Sequence, residues 1–385
     1  LQDQSLSDRP LFTIMPQNSD PRRHKRRSHP GGFVAENIVV ETAARIFTDL
    51  ADTQTIIQSG TDAWKTPLWD ALVDAGLTLS WVPENCGGSG ADLADGFGVL
   101  QTAGRTALAA PLAETMLAGW LLSQGKITCP PGVMTLAPVR PNNRILLHAD
   151  GTVSGEARGV SYATQAQHLV VLAHTPSRPM VALMPASICR ITPGHNLADD
   201  ALNGIAFDRG KPLATAKLPD NVSHASLMMI GAVVRSLQIA GALETILQLT
   251  VQYANERVAF ERKIAKFQAV QHHLARLAGE VAAAVTAATS AADALSDSTS
   301  PPEALLLEAA AAKIRCGEAA ETATAIAHQI HGAMGFTREH VLHRYTLRAL
   351  AWRDDFGTES YWAAELGQHI ASHGADQLWP LVASR

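Results

Sequence analysis

Apolar residues recur three and four positions apart in FVAENIVVETAARIFTDLA (33–51) and again in TPLWDALVDAGL (66–77). That spacing predicts amphipathic helices, the second with Thr66 as cap and Pro67 in its first turn. A Gly-rich loop follows between Glu84 and Gly90, then two more helical stretches separated near Pro111. From about 127 the pattern changes. Pro130, Pro131, Pro138 and Pro141 exclude long helices, and short apolar or alternating runs take over: RILLHA, TVSGEARGV, HLVVLAH, PMVALMPA and GIAFD. Turn signals such as Ala-Asp-Gly (149–151) and Pro-Gly (193–194) separate them, which predicts a small barrel or sandwich. Beyond 223 the helical period returns, over 225–258, over an Ala-rich 265–296, and from the Pro301–Pro302 pair to about 331. Gly332 and Gly335 offer C-cap geometry there, and shorter helices are predicted near 337–351 and 358–372.

The expected architecture is mainly α with a small middle β domain. It comprises a disordered basic N-terminus (1–33), an N-terminal helical domain (34–126), a middle β domain (127–222) and a C-terminal helical bundle (223–385). Composition agrees with a well-buried chain: 46% of residues are apolar and only 17% charged. A net charge of −5 gives no reason to expect nucleic acid or an anionic membrane as partner. No uninterrupted apolar run reaches the roughly 18 residues of a spanning helix. Cys86, Cys129, Cys189 and Cys316 are scattered, with no CxxC and no His at metal spacing, so buried thiols, a cytoplasmic location and no metal are expected. The basic run DPRRHKRRSHPGG (20–32) lacks the apolar core of a signal peptide and reads as a disordered tail rather than a nucleic-acid arm or leader.

YANERVAFERKIAKFQAVQHHLA (253–275) concentrates Tyr253, Arg257, Phe260, Phe267 and Gln268 at one helical corner of an aromatic-poor chain. Taken as bare residues, it is an interhelical turn whose two Phe rings plug the core while the polar groups are solvated. The same residues also suit a ligand. A guanidinium gives a fixed fork for a diphosphate, Gln offers both donors and acceptors, and an aromatic ring can cover an apolar face.

This segment resembles the RxxFGxxIxxFQxxxxxLA motif of the acyl-CoA dehydrogenase family, with Arg257, Phe260, Ile264, Phe267, Gln268, Leu274 and Ala275 in matching positions. QIHGAMGF (329–336) resembles the family's QxxGGxGF, matching at Gln329, Gly332, Gly335 and Phe336, with Ala333 in place of a Gly. VPENCGGSGAD (82–92), residues 150–173 and residues 343–367 also resemble family segments, in the same order. The resemblance covers about 35–380. It implies FAD, an acyl-CoA substrate, electron transfer to an electron-transfer flavoprotein, and a homo- or hetero-tetramer in which neighbouring subunits share each FAD site. By the same resemblance Arg257, Phe260, Phe267, Gln268, Gln329, Gly332, Gly335 and Thr358 would contact the cofactor.

The family's reaction needs a carboxylate that removes the α-proton of the thioester. Where the family has the Glu of YEGT, this chain has Phe356, within DDFGT (354–358). The alternative family position, at the start of the first bundle helix, falls near Gly231 and Ala232. The nearest acids are Asp354, Asp355 and Glu359, and Asp355 is the candidate base. TLAPVRPNN (135–143) replaces the family's flavin-contacting TEPxxGSD loop, keeping Thr135 and Pro138. His331 and the His272–His273 pair read as helix-surface or interface residues, and Glu84 and Cys86 as parts of the Gly-rich loop. Two functions stand open. One is a dehydrogenase forming a 2,3-enoyl-CoA; the other is a non-catalytic subunit that completes a partner's FAD site. Different flavin chemistry is a third, weaker option.

Overall fold

A computed structural model describes residues 37–374, 376 and 378–383. The basic run at 20–32, expected as a tail, lies outside them. Five helices come first: α1 (Ile38–Leu50), α2 (Thr53–Ser59), α3 (Lys65–Asp74), α4 (Leu93–Arg105) and α5 (Leu112–Gln124). The Asn37 side chain caps α1 by accepting from the amides of Val39 and Val40. Thr66 does not cap α3. That helix begins two residues earlier, after Trp64, and Thr66 and Pro67 both lie in its first turn, where Pro costs no hydrogen bond. Nearly every residue of α5 is buried, because it is sandwiched between the other helices and the sheet.

The middle of the chain forms one hydrogen-bonded sheet: β1 (Met134–Ala137), β2 (Arg144–Leu147), β3 (Val153–Ser161), β4 (His168–His174), β5 (Pro179–Pro185), β6 (Arg190–Thr192), β7 (Leu202–Gly210) and β8 (Ala214–Lys217). Its order is β6-β7-β3-β2-β4-β5-β8, with β1 running parallel to β4. The apolar run of β4 is buried throughout its interior, as expected of a strand flanked by others and covered by α5. Strands β1, β6 and β8 carry no clear apolar alternation and were not among the predicted runs.

The remaining helices are α6 (His224–Glu256), α7 (Gln268–Ser296), α8 (Pro302–His331), α9 (Leu342–Trp352), α10 (Glu359–His373) and α11 (Leu378–Ala383). Ser223 and Ser226 form a reciprocal capping box at the start of α6. By length and composition alone this helix could cross a membrane. Its apolar window is wholly buried, enclosed by α4, α7, α8 and α9, so it is a core helix. Close packing with α4 depends on two glycines. A Cβ on Gly104 would lie 2.2 Å from the Gln238 carbonyl oxygen, and one on Gly241 would lie 2.1 Å from that of Gln101.

One charged cluster ties these parts together. Arg235, in the middle of α6, donates from Nη2 to Glu114 of α5 at 2.5 Å, from Nε to Asp355 at 2.9 Å, and from Nη1 to Gln238 at 2.6 Å. All three charged residues are buried, Arg235 and Glu114 at 3% exposure and Asp355 at 9%. Burial pushes the Glu114 carboxyl up, and Arg235 opposes that shift. A second buried pair, Arg348–Asp200 at 2.6 Å, fastens α9 to the segment entering β7. Arg235→Leu would strand two buried carboxylates and is expected to cost about 3–5 kcal/mol. Removing all three charges together (Arg235→Leu, Glu114→Leu, Asp355→Leu) should recover much of that loss, measured by urea unfolding.

Candidate functional site: a closed loop and an open groove

The loop between α9 and α10 carries the expected base region and is held from four sides. Lys313 of α8, fully buried, donates to the carbonyls of Gly357 (2.8 Å) and Arg353. Burial lowers the Lys313 ammonium to about 8. Trp362 donates from Nε1 to the Phe356 carbonyl at 2.9 Å. Asp355 is bound to Arg235, and Thr358 caps α10 by accepting from the Tyr361 amide at 3.3 Å. Phe356 itself has φ of 54° and is 3% exposed. Its ring lies directly on Gly231: a Cβ there would come within 2.1 Å of Phe356 Cδ1. The two positions at which the resembled family would place a base thus meet in space, one a phenyl ring and the other a glycine. The Arg235 guanidinium lies 5.9 Å from the same ring.

The corner after α6 is a two-residue hairpin. β9 (Val258–Ala259) pairs with β10 (Arg262–Lys263), and Phe260 and Glu261 form the turn with φ of 50° and 64°. Two consecutive left-handed residues make a type I′ geometry, which favours Asn or Gly. This explains physically why the resembled motif has Gly where Glu261 stands. The core-plug reading of the two Phe rings does not hold: Phe260 is 90% exposed. It meets Phe267 edge-on at 6.2 Å, and Arg262 stacks on Phe267 at 4.1 Å. Arg257 and Gln268 are exposed, and Arg257 has no ion pair among the described residues.

Around the end of α8 lies a groove of about 600 Å³, lined by Glu321, Thr324, His328, Gln329, Gly332 and Phe336 among others. Gly332 caps α8 with φ of 60° and has open space where a Cβ would sit. Gly335 is not a cap, contrary to expectation. It is a close-packing position, where a Cβ would lie 2.9 Å from His331 Cβ. Phe336 is exposed and stacks on His328 at 4.3 Å. His331 is buried rather than on the helix surface. It stacks on Tyr253 at 4.4 Å and thereby brings the end of α6 to the end of α8. Arg257, Phe260, Phe267 and Gln268 therefore share one corner, and Gln329, Gly332 and Gly335 the neighbouring turn. Asp355 and Thr358 are engaged in the closed loop.

Residues 223–369 match the family model described as acyl-CoA dehydrogenase, C-terminal domain. Acyl-CoA dehydrogenase IpdE2 of Mycobacterium tuberculosis is 29% identical over 284 residues, covering 73% of this chain and 80% of that protein. Residues 223–369 thus carry the acyl-CoA dehydrogenase C-terminal domain, and the chain is similar to acyl-CoA dehydrogenases over about three quarters of its length. Among solved structures, the ChsE4-ChsE5 complex from Mycobacterium tuberculosis contains a chain with a TM-score of 0.77 at 22% identity, spanning 88% of this chain and 97% of that one. A chain of the Tcur3481-Tcur3483 steroid ACAD variant gives 0.76 at 24% identity, spanning 87% and 97%.

The resemblance implies FAD, and the residues present fit one half of it. The groove offers the exposed Gln329 amide, the bare backbone of Gly332 and the aromatic wall of Phe336, while Arg257 brings an unpaired cation at the hairpin corner. The buried ring nitrogens His328 Nδ1 and His331 Nε2 have no hydrogen-bond partner among the described residues, an excess of polar capacity beside that groove. These groups suit an adenosine diphosphate. The flavin half is poorly served. Thr135, retained from the family loop, is fully buried in β1 and donates its hydroxyl to the Ser161 carbonyl at 2.7 Å. The sequence reading missed Arg235, the only charged residue between 225 and 243. A lone Arg in an apolar helix demands buried partners, and that was the available signal.

Two measurements test this geometry. Glu261→Gly should relieve the left-handed strain and stabilise the corner by about 1–2 kcal/mol, read as a higher urea midpoint. The second concerns His328, His331, His340 and His343, all held below the ordinary value of 6.5, chiefly by burial and further by neighbouring charges. Below that value the unfolded chain takes up protons that the folded chain resists, so stability falls as pH falls through about 6.5. The melting temperature should be lower at pH 5.5 than at pH 7.5, and His331→Gln should flatten that slope.

Proposed function

We propose that this chain is the non-catalytic subunit of a heteromeric acyl-CoA dehydrogenase. It supplies the adenosine-diphosphate half of an FAD site that a homologous, base-bearing chain completes. The observation that carries this reading is the Phe356–Gly231 contact: both family base positions are filled by groups that cannot accept a proton. The nearest acid, Asp355, already accepts a charge-assisted hydrogen bond from Arg235 in a buried cluster, which makes it a structural anion. The likeness to chains of two-component assemblies supports the same reading.

In such an assembly, the partner's carboxylate removes the α-proton of the thioester. FAD, when bound, supplies the acceptor for the β-hydride. This chain's share is positional. Arg257 would hold the diphosphate, Gln268 and Gln329 the ribose and adenine edges, and Phe260 and Phe336 would exclude water from the site. Phe267 supports Phe260 from below. Gly332 leaves the backbone open to the cofactor, and Gly335 sets the packing of that turn. The proposed substrates are bulky acyl-CoA thioesters of the steroid-derived kind, with an electron-transfer flavoprotein as acceptor.

The second reading is a self-sufficient dehydrogenase with Asp355 as base, favoured by its place directly before the family position. Expressing the chain alone and with a base-bearing homologue separates the two. Flavin absorbance and its bleaching by acyl-CoA should appear only on co-expression, and Asp355→Asn in that complex should leave the bleaching rate unchanged. A yellow protein bleached by acyl-CoA without a partner would overturn the proposal. So would an Asp355→Asn complex that keeps its flavin but no longer bleaches.

A further inference from the structure

The far end of α8 carries a group of side chains that the family's chemistry does not use. Glu303 sits in the first turn of α8, and His369 and His373 stand one turn apart on α10, contrary to the expectation of no His at ligand spacing. Their ligand atoms all lie within 4.8 Å of one another. Gln329, on the cofactor groove, is 26 residues further along the same helix, about 39 Å away at 1.5 Å per residue. The cluster is therefore remote from the groove.

The hydrogen bonds around His373 decide what it can bind. His373 Nδ1 lies 2.8 Å from the His369 carbonyl oxygen, which can only accept, so Nδ1 carries the proton. Ser372 Oγ, 3.1 Å from the same nitrogen, also directs its own hydrogen to that carbonyl at 2.7 Å. In the neutral ring Nε2 is then a bare lone pair, and it points at Glu303 Oε1 from 3.6 Å. A proton on Nε2 would make this an ion pair and a metal ion would bridge it; the third donor, His369, whose ligand atom lies within 4.8 Å of both, points to the metal. Two ligands on a tetrahedral zinc, with bonds of about 2.1 Å, stand roughly 3.4 Å apart, close to the separation seen here. A backbone carbonyl holding the distal Nδ1–H is the usual outer-shell support of a metal-bound imidazole. The three side chains share a pocket of about 250 Å³ with Ile370, Leu378, Pro380 and Leu381, so α11 walls one side with apolar groups and leaves room for a water ligand.

We propose that Glu303, His369 and His373 form a divalent transition-metal site of the zinc class, with water in the fourth position. The metal cross-links the start of α8 to the last turn of α10 beneath α11. Both histidines are on one face of one helix, so they are presented together without any rearrangement of the backbone.

The test uses the full chain, stripped with a chelator and titrated with Zn²⁺ against a chromophoric competitor. Co²⁺ absorption serves as a second readout of ligand number and geometry. One equivalent of metal should bind, with intense Co²⁺ bands of four-coordinate character and a higher melting temperature. His373→Ala and His369→Ala replace helix residues outside the core, so they should fold normally. Each should weaken binding by more than the roughly 10- to 100-fold that loss of an outer-shell group costs. Glu303→Gln should weaken it without changing the fold. No stoichiometric binding in the parent chain would overturn the proposal. So would binding that survives the His369→Ala/His373→Ala double variant, since the metal would then sit elsewhere, for example among His328, His331, His340 and His343.

Discussion

The contact on which the rest of the structure depends is the buried guanidinium of Arg235. It joins a helix of the N-terminal domain, the central helix of the bundle and the loop between α9 and α10 through Glu114 and Asp355. Arg235 opposes the desolvation that burial imposes on Glu114, and the buried Lys313 ammonium also interacts with Asp355. The Gln238 amide oxygen accepts the remaining guanidinium hydrogen bond, and the close helix packing at Gly104 and Gly241 fixes the geometry. Because one charge serves two acids from different parts of the chain, none of these parts can shift without breaking a buried pair.

The clamp also decides what the α9–α10 loop can do. Asp355 facing Arg235 turns the neighbouring Phe356 side chain onto Gly231, and the left-handed backbone at 356 holds it there. Lys313 and Trp362 then bind the loop carbonyls, so the segment is a plug anchored by a cation, an indole and an ion pair. By contrast, the groove at the end of α8 stays open, with exposed Gln329, Phe336 and Gly332. The loop between α9 and α10 is sealed, whereas the groove at the end of α8 is open.

Much of this was legible in the sequence. The helix and strand periods of α1, α4–α8 and β2–β5 are strong because each has a well-buried face. Three strands were missed because Met134–Ala137, Arg190–Thr192 and Ala214–Lys217 are short and lack a run of adjacent large apolar side chains such as the Ile-Leu-Leu that marks the equally short β2. The residues proposed to face FAD could be named because the corner motif gathers them close in sequence. The ion cluster could not, because Glu114, Arg235 and Asp355 are separated by more than a hundred positions at each step and meet only through tertiary packing. Glu261 shows the converse. Its departure from the motif was visible in the sequence, yet only the hairpin's paired left-handed angles give the reason a glycine suits that place.

The interlock of Phe356 with Gly231 also bears on how such a chain can evolve. A carboxylate introduced at 231 would run into the ring, and a small residue at 356 would open a void over a glycine, so neither change is favourable by itself. Recovering proton abstraction at the second family position requires both substitutions, with the intermediate sequence worse packed than either end. That mutual dependence acts as a ratchet. With the ring seated on the glycine, a carboxylate at 231 is harder to introduce than the interlock is to keep.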